Sequence, residues 1–97
     1  MGTYYRRVKQ DTSAKDIDAY MAQVGFSALE LDSLGGGAPD RLYGGRGLLI
    51  LSELKTGKKK RQPNQVAWAQ KWHGPPVYVW RTPEDARATL LALGLNV

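Results

Sequence analysis

The stretch "GGGAPDRLYGGRGLLILSELKTG", residues 35–57, decides how the chain folds. Gly35-Gly36-Gly37 is a break at which the backbone can adopt positive φ. Arg41 to Tyr43 and Leu48 to Leu54 read as strands around Gly44-Gly45-Arg46-Gly47, which predicts a tight hairpin. Asp40 stands at the entrance to this hairpin, and Glu53 and Lys55 stand at its exit. Charges in β-structure are costly unless paired or liganded. Side chains alternate along a strand, so Glu53 and Lys55 share a face while Leu54 points the other way. With the turn near Gly45, Asp40 falls across from the Leu51–Glu53 region and its carboxylate approaches that of Glu53. Two converging carboxylates, a carbonyl and waters make a hard oxygen site suited to Mg²⁺ or Mn²⁺. A lysine beside them orients or deprotonates a water, or neutralises charge on a phosphate. The plainer alternative is a pair of solvated acids with Lys55 as their surface partner, because a D-x₁₂-ExK spacing alone recurs by chance.

The elements on either side of the hairpin follow from local signals. Asp11, Thr12 or Ser13 can cap a helix from about Ala14 to Val24, with Ile17, Tyr20, Met21 and Val24 as its apolar face and Gly25 as its stop. "FSALELDSL" carries a weak strand pattern. Thr56 to Gln62 reads as a basic loop, and Pro63 opens a helix ending near His73 with Gly74 as the stop. Val77 to Trp80 is a short strand. Thr82 and Pro83 then form the N-cap and N1 of a last helix that reaches about Leu93 before Gly94. The order is α-β-β-β-α-β-α, within one α/β domain spanning residues 1–97.

Composition bounds the partners. The chain has 97 residues, a formal charge of +5 and no cysteine, which excludes disulfides and thiolate metal sites. A basic balance favours an anionic partner, most commonly nucleic acid. Lys58-Lys59-Lys60-Arg61 follows the ELK strand directly and is placed to contact phosphates, although such runs are often only solvated loops. Arg6, Arg7 and Lys9 form a second basic cluster beside Tyr4 and Tyr5, where a base could stack. The N-terminal ten residues show no apolar core of a signal peptide, and the run Leu48–Leu51 is too short to span a membrane. A cytoplasmic location, in a prokaryotic or phage-infected cell, is the expectation. Trp68 and Trp72 at i, i+4 read as core, and Gln65 is the polar exception on their helix face. His73 suits a helix C-terminus and is given no catalytic role.

Five stretches occurring in order resemble one family: "DTSAKDIDAYMAQVGF", "LGGGAPDRLYG", "LILSELKTG", "QPNQVAWAQKWHG" and "PVYVWRTPEDA". The combination of "GGGAPD", "ELK" and "QxxW" is similar to the PD-(D/E)XK nuclease superfamily. Within it, the chain most resembles the virus-type replication-repair (VRR-NUC) nucleases and phage Holliday-junction-resolvase-like proteins. The resemblance implies a restriction-endonuclease-like fold, a mixed sheet of about four strands flanked by helices. It implies an Mg²⁺- or Mn²⁺-dependent DNA endonuclease. Asp40 and Glu53 match the metal ligands, with the Leu54 carbonyl as a backbone ligand. Lys55 matches the catalytic lysine, and Gln65 matches a helix glutamine facing the site. Asp16 stands where the family carries a first-helix acid, usually Glu, and its shorter reach weakens a metal role. A homodimer is implied too, and it suits a small domain with one site acting on two strands. No organic cofactor and no membrane partner are expected. Junction, flap, nick and plain duplex all remain open as substrates. Two other classes also remain open: an inactive nucleic-acid-binding module and a basic structural phage protein.

Overall fold

The β2–β3 hairpin organises the computed structural model, which describes residues 14–97. The described part begins in helix α1 (residues 14–23), so the expected caps at Asp11, Thr12 or Ser13 and the cluster of Tyr4, Tyr5, Arg6, Arg7 and Lys9 lie outside it. There follow β1 (Ser27–Glu30), a 3₁₀ turn (Asp32–Leu34), β2 (Arg41–Gly45), β3 (Leu48–Leu54), α2 (Pro63–Lys71), β4 (Val77–Trp80) and α3 (Pro83–Ala92). The order is α-β-β-β-α-β-α, with a mixed four-stranded sheet in the order β1-β2-β3-β4. The first three strands are antiparallel neighbours, and β4 runs parallel to β3.

Gly45 pairs with Leu48, which makes Arg46-Gly47 a two-residue turn. Both turn residues have positive φ, 51° at Arg46 and 80° at Gly47, as a primed hairpin turn requires. The register sets Arg41 opposite Ser52 and Tyr43 opposite Ile50. Alternation then divides the sheet. Tyr43, Ile50 and Trp80 face α1 and α3, where they pack with Ile17, Met21, Phe26, Ala86 and Leu90 in the buried core. The rings of Tyr43 and Trp80 stack at 5.6 Å. Leu29, Leu42, Leu51 and Val77 form a row across all four strands on the opposite face.

Caps fix the helices that position the site. The Thr82 hydroxyl accepts from Asp85 N (3.2 Å), and the Asp85 carboxylate accepts from Arg81 N (2.7 Å). At the other end of α3, Leu95 N donates to Leu90 O and Gly94 N to Leu91 O, around Gly94 at φ 88°. This is the Schellman pattern expected of a glycine just past a helix. Helix α2 departs from expectation. It ends at Lys71, and none of its residues is buried. Trp68 and Trp72 stack on each other at 4.9 Å instead of entering the core, and Trp72 is 41% exposed. Gly74 is no helix stop: a side chain there would collide with the Trp72 indole, whose N–H donates to Pro75 O.

Candidate active site

The site lies where the ends of β2, β3 and α2 meet. Asp40 N donates to Ser52 O, which extends the ladder one residue beyond Arg41 and carries Asp40 to the level of Glu53. Asp40 Oδ2 accepts from Leu54 N at 2.7 Å. The neighbouring peptide is fixed from the other side, because Lys55 N donates to Trp80 O of β4. In a trans peptide the C=O points opposite to the N–H. The Leu54 carbonyl therefore points towards β2, the side from which Asp40 approaches.

Glycine makes this approach possible. Gly37 is buried at φ 86°, and a side chain there would collide with the Asn64 carbonyl in the first turn of α2. The loop before Asp40 thus rests on the start of α2 backbone to backbone. The same turn presents Gln65, whose Oε1 accepts from Gln62 N (2.7 Å). That contact is the backward-reaching half of a capping box, and it locks the side chain's orientation. The same oxygen accepts from Lys55 Nζ at 2.7 Å. With two donors on Oε1, the Gln65 amide nitrogen is the end that still offers hydrogens to a third group.

Glu53 is the anomaly. Its side chain is 0% exposed, and among the described residues neither carboxylate oxygen has an aligned hydrogen-bond partner. Arg61 Nε stands 3.2 Å from Glu53 Oε1, close enough for an ion pair but out of line for a hydrogen bond, and it too has no partner. Burial raises the Glu53 pKa above the usual carboxylate range. The charges of Arg61 and Lys55 oppose that rise, and Asp40 adds to it. A buried carboxylate with no hydrogen bond is among the costliest groups a fold can carry.

These placements bear on each expected residue. Asp40, Glu53, the Leu54 carbonyl, Lys55 and Gln65 come together. Lys58, Lys59 and Lys60 are exposed on the loop that follows, and Arg81 holds that loop by donating to Lys59 O. Arg61 turns inward to Glu53 and donates Nη2 to Val77 O. Asp16 is exposed on α1. Among the described residues it forms no ion pair, and no three acidic, histidine or cysteine side chains gather at metal-holding distance. His73 is exposed beyond the end of α2.

The residues present nevertheless suit a small hard cation. Mg²⁺ commonly takes one or two carboxylates and completes its shell with waters and substrate phosphate. Among the described residues neither Glu53 oxygen has an aligned hydrogen bond, Asp40 Oδ1 has none, and the Leu54 carbonyl points their way. The chain matches no family model, and no curated protein and no solved structure shows significant similarity to it.

A second polar cluster, on the α1 side of the sheet, escaped the sequence reading. Asp18 accepts from Tyr43 Oη (2.7 Å) and from Arg41 Nε (3.2 Å), while Arg41 Nη1 donates to Asp32 (2.9 Å). Burial and then Asp18 raise the Tyr43 pKa. Burial alone would lower that of Arg41, but the Asp18 hydrogen bond and the Asp18 and Asp32 charges turn the net shift upward. The available signal was Arg41 two positions before Tyr43 in a strand, which puts a charge on the core face.

Proposed function

We propose that the protein is a metal-dependent DNA endonuclease of the PD-(D/E)XK type, related to the VRR-NUC and phage resolvase-like nucleases. The observation that carries this reading is the buried Glu53 carboxylate, without an aligned hydrogen bond among the described residues, beside Asp40 and the Lys55–Gln65 pair. A fold tolerates such a carboxylate where a ligand completes it. Asp40, Glu53 and the Leu54 carbonyl would hold Mg²⁺ or Mn²⁺. When bound, the ion would polarise the phosphoryl oxygen and lower the pKa of an attacking water.

The chain's own groups do the rest. Lys55 gives one N–H to Gln65 and keeps two for a water or a non-bridging phosphate oxygen. Held at both ends, by its backbone bond to Trp80 O and by Gln65, it loses little freedom when substrate arrives. Gln65 donates through its amide nitrogen to a phosphate oxygen. Lys58, Lys59 and Lys60 contact flanking phosphates independently of sequence, with Arg61 at the inward end of the same loop. Two nicks in a duplex or a branched DNA call for a symmetric homodimer.

The test combines calorimetry and cleavage. Mn²⁺ binds wild type with a stoichiometry that Asp40→Asn and Glu53→Gln abolish, and a panel of linear, flapped, nicked and four-way-junction DNAs is cut only with Mg²⁺ or Mn²⁺. Metal binding indifferent to both acids refutes the site. Binding without cleavage of any substrate leaves a nucleic-acid-binding module.

A further inference from the structure

We infer that Arg61 is an internal stand-in for the metal: its guanidinium neutralises Glu53 in the metal-free protein and must yield when a divalent cation binds. The inference rests on the nuclease reading and adds to it a residue that sets metal affinity.

Three observations carry it. Glu53 is wholly buried, and Arg61 Nε is the one cationic nitrogen within ion-pair distance of it among the described residues. The contact is mainly electrostatic: Nε stands 3.2 Å from Oε1, but its N–H is not aligned on the oxygen, so any hydrogen bond between them is weak. The guanidinium is instead tied to β4, where Nη2 donates to Val77 O at 3.0 Å. Arg61 is therefore poised beside the carboxylate by the sheet and not clasped by the carboxylate itself. An aligned bidentate pair would satisfy both partners and resist replacement. This misaligned one leaves both carboxylate oxygens and Nε short of partners, so a better ligand for Glu53 displaces little.

Two cations on one buried carboxylate repel each other strongly where the surroundings screen poorly. A divalent ion at Glu53 therefore binds against the charge of Arg61. Arg61 also sits at the end of the basic loop, two residues before the first residue of α2. Its side chain is 27% exposed, and the residues just before it, Lys58, Lys59 and Lys60, are exposed. The guanidinium thus shields Glu53 in the apo protein and is free to turn to the phosphate side once the ion has replaced it.

The expected signature is a pair of opposite effects. In Arg61→Met the metal-free protein melts at lower temperature, because Glu53 loses its counter-charge, while Mn²⁺ measured by calorimetry without DNA binds roughly five- to tenfold more tightly, at the lower end of usual site couplings. Unchanged or weaker Mn²⁺ affinity in that variant overturns the inference. Wild-type Mn²⁺ binding that Glu53→Gln leaves intact overturns the nuclease reading instead, so the two failures are separable. A second measurement needs no destabilised variant. In wild type, the Arg61 Nε–Hε resonance, assigned by its loss in Arg61→Lys, shifts on titration with Mg²⁺ along the same curve as metal binding. A resonance that stays in place through saturation overturns the inference.

Discussion

The two polar clusters on opposite faces of the sheet have similar ingredients and opposite character. On the α1 side, Arg41, Asp18, Asp32 and Tyr43 form a closed set in which the guanidinium and the phenol each find a carboxylate. On the α2 side, Glu53 is more deeply buried yet among the described residues has no aligned hydrogen bond, and its charge neighbour is misaligned. The first cluster ties α1 to β2 and β2 to the 3₁₀ turn. The second ties nothing together through Glu53. Burial of charge therefore does not by itself mark a site. Burial without satisfaction does, because a carboxylate kept at a cost to the fold needs a reason outside it.

The largest effect that tests this contrast is catalytic. Lys55→Met keeps the apolar stem and removes the ammonium that Gln65 holds. Single-turnover cleavage falls about a hundredfold or more, the usual consequence of losing one electrostatic group at a reacting phosphate. DNA affinity measured in Ca²⁺ changes far less. Cleavage persisting near the wild-type rate would take Lys55 out of the mechanism and leave the α2-side cluster without its function.

Stability should show the reverse asymmetry. Asp18→Ala strands Arg41, whose side chain is 8% exposed, and frees the Tyr43 hydroxyl. Removing one partner of a fully buried pair costs about 3–5 kcal/mol. Asp18 is 27% exposed and Asp32 remains, so about 2–3 kcal/mol is expected from denaturant titration. Mn²⁺ affinity is unchanged in this variant. A loss below ~0.5 kcal/mol would mean that the α1-side cluster is as dispensable to the fold as an exposed ion pair.

The exposed end of the α2-side cluster gives a smaller, graded effect. Each of Lys58→Ala, Lys59→Ala and Lys60→Ala lowers the slope of log affinity against log salt by about 0.9 on duplex DNA if it removes one phosphate contact. A slope that the triple variant leaves unchanged would make the run a solvated loop.

Much of this arrangement was legible in the sequence, and the exceptions share a cause. The hairpin, the Val77–Trp80 strand and the Thr82-Pro83 start of α3 are written in local signals: period-two patterning, a proline at N1, glycines at turns. The placement of Asp40 across the ladder from Glu53 followed from register alone. The inward turn of Arg61 did not, because a run of four basic residues reads as solvated and only tertiary packing selects the one that reaches Val77 O and Glu53. Gly37 has the positive φ expected of the glycine break, but it has a second reason in the Asn64 carbonyl 27 residues later, a contact no local pattern encodes. The Trp68–Trp72 pair was read as core from its spacing. The spacing equally serves two rings that stack on each other at the end of a helix burying none of its residues.

The smallest effect is the most direct test of the claim that Glu53 is held at a cost. Burial raises its pKa in the folded state, so between the ordinary carboxylate value near 4.3 and the raised one the folded protein binds more protons than the unfolded chain. Stability then falls as pH rises through that window, and the loss is complete once Glu53 is ionised in the folded state. Glu53→Gln removes this penalty. In chelator, the variant should match wild type below the window and exceed it by about 0.5–2 kcal/mol at neutral pH, the usual gain from relieving a functional strain. Arg61 loses its counter-charge in the variant, but its Nη2 keeps the bond to Val77 O and the side chain is only partly buried, which limits the offset. The comparison must be made without metal, since an ion bound to wild type would add stability by mass action and reverse the order. If Glu53→Gln is less stable than wild type at neutral pH, the Arg61–Glu53 contact is a stabilising ion pair after all. The two faces of the sheet would then carry two clusters of the same kind.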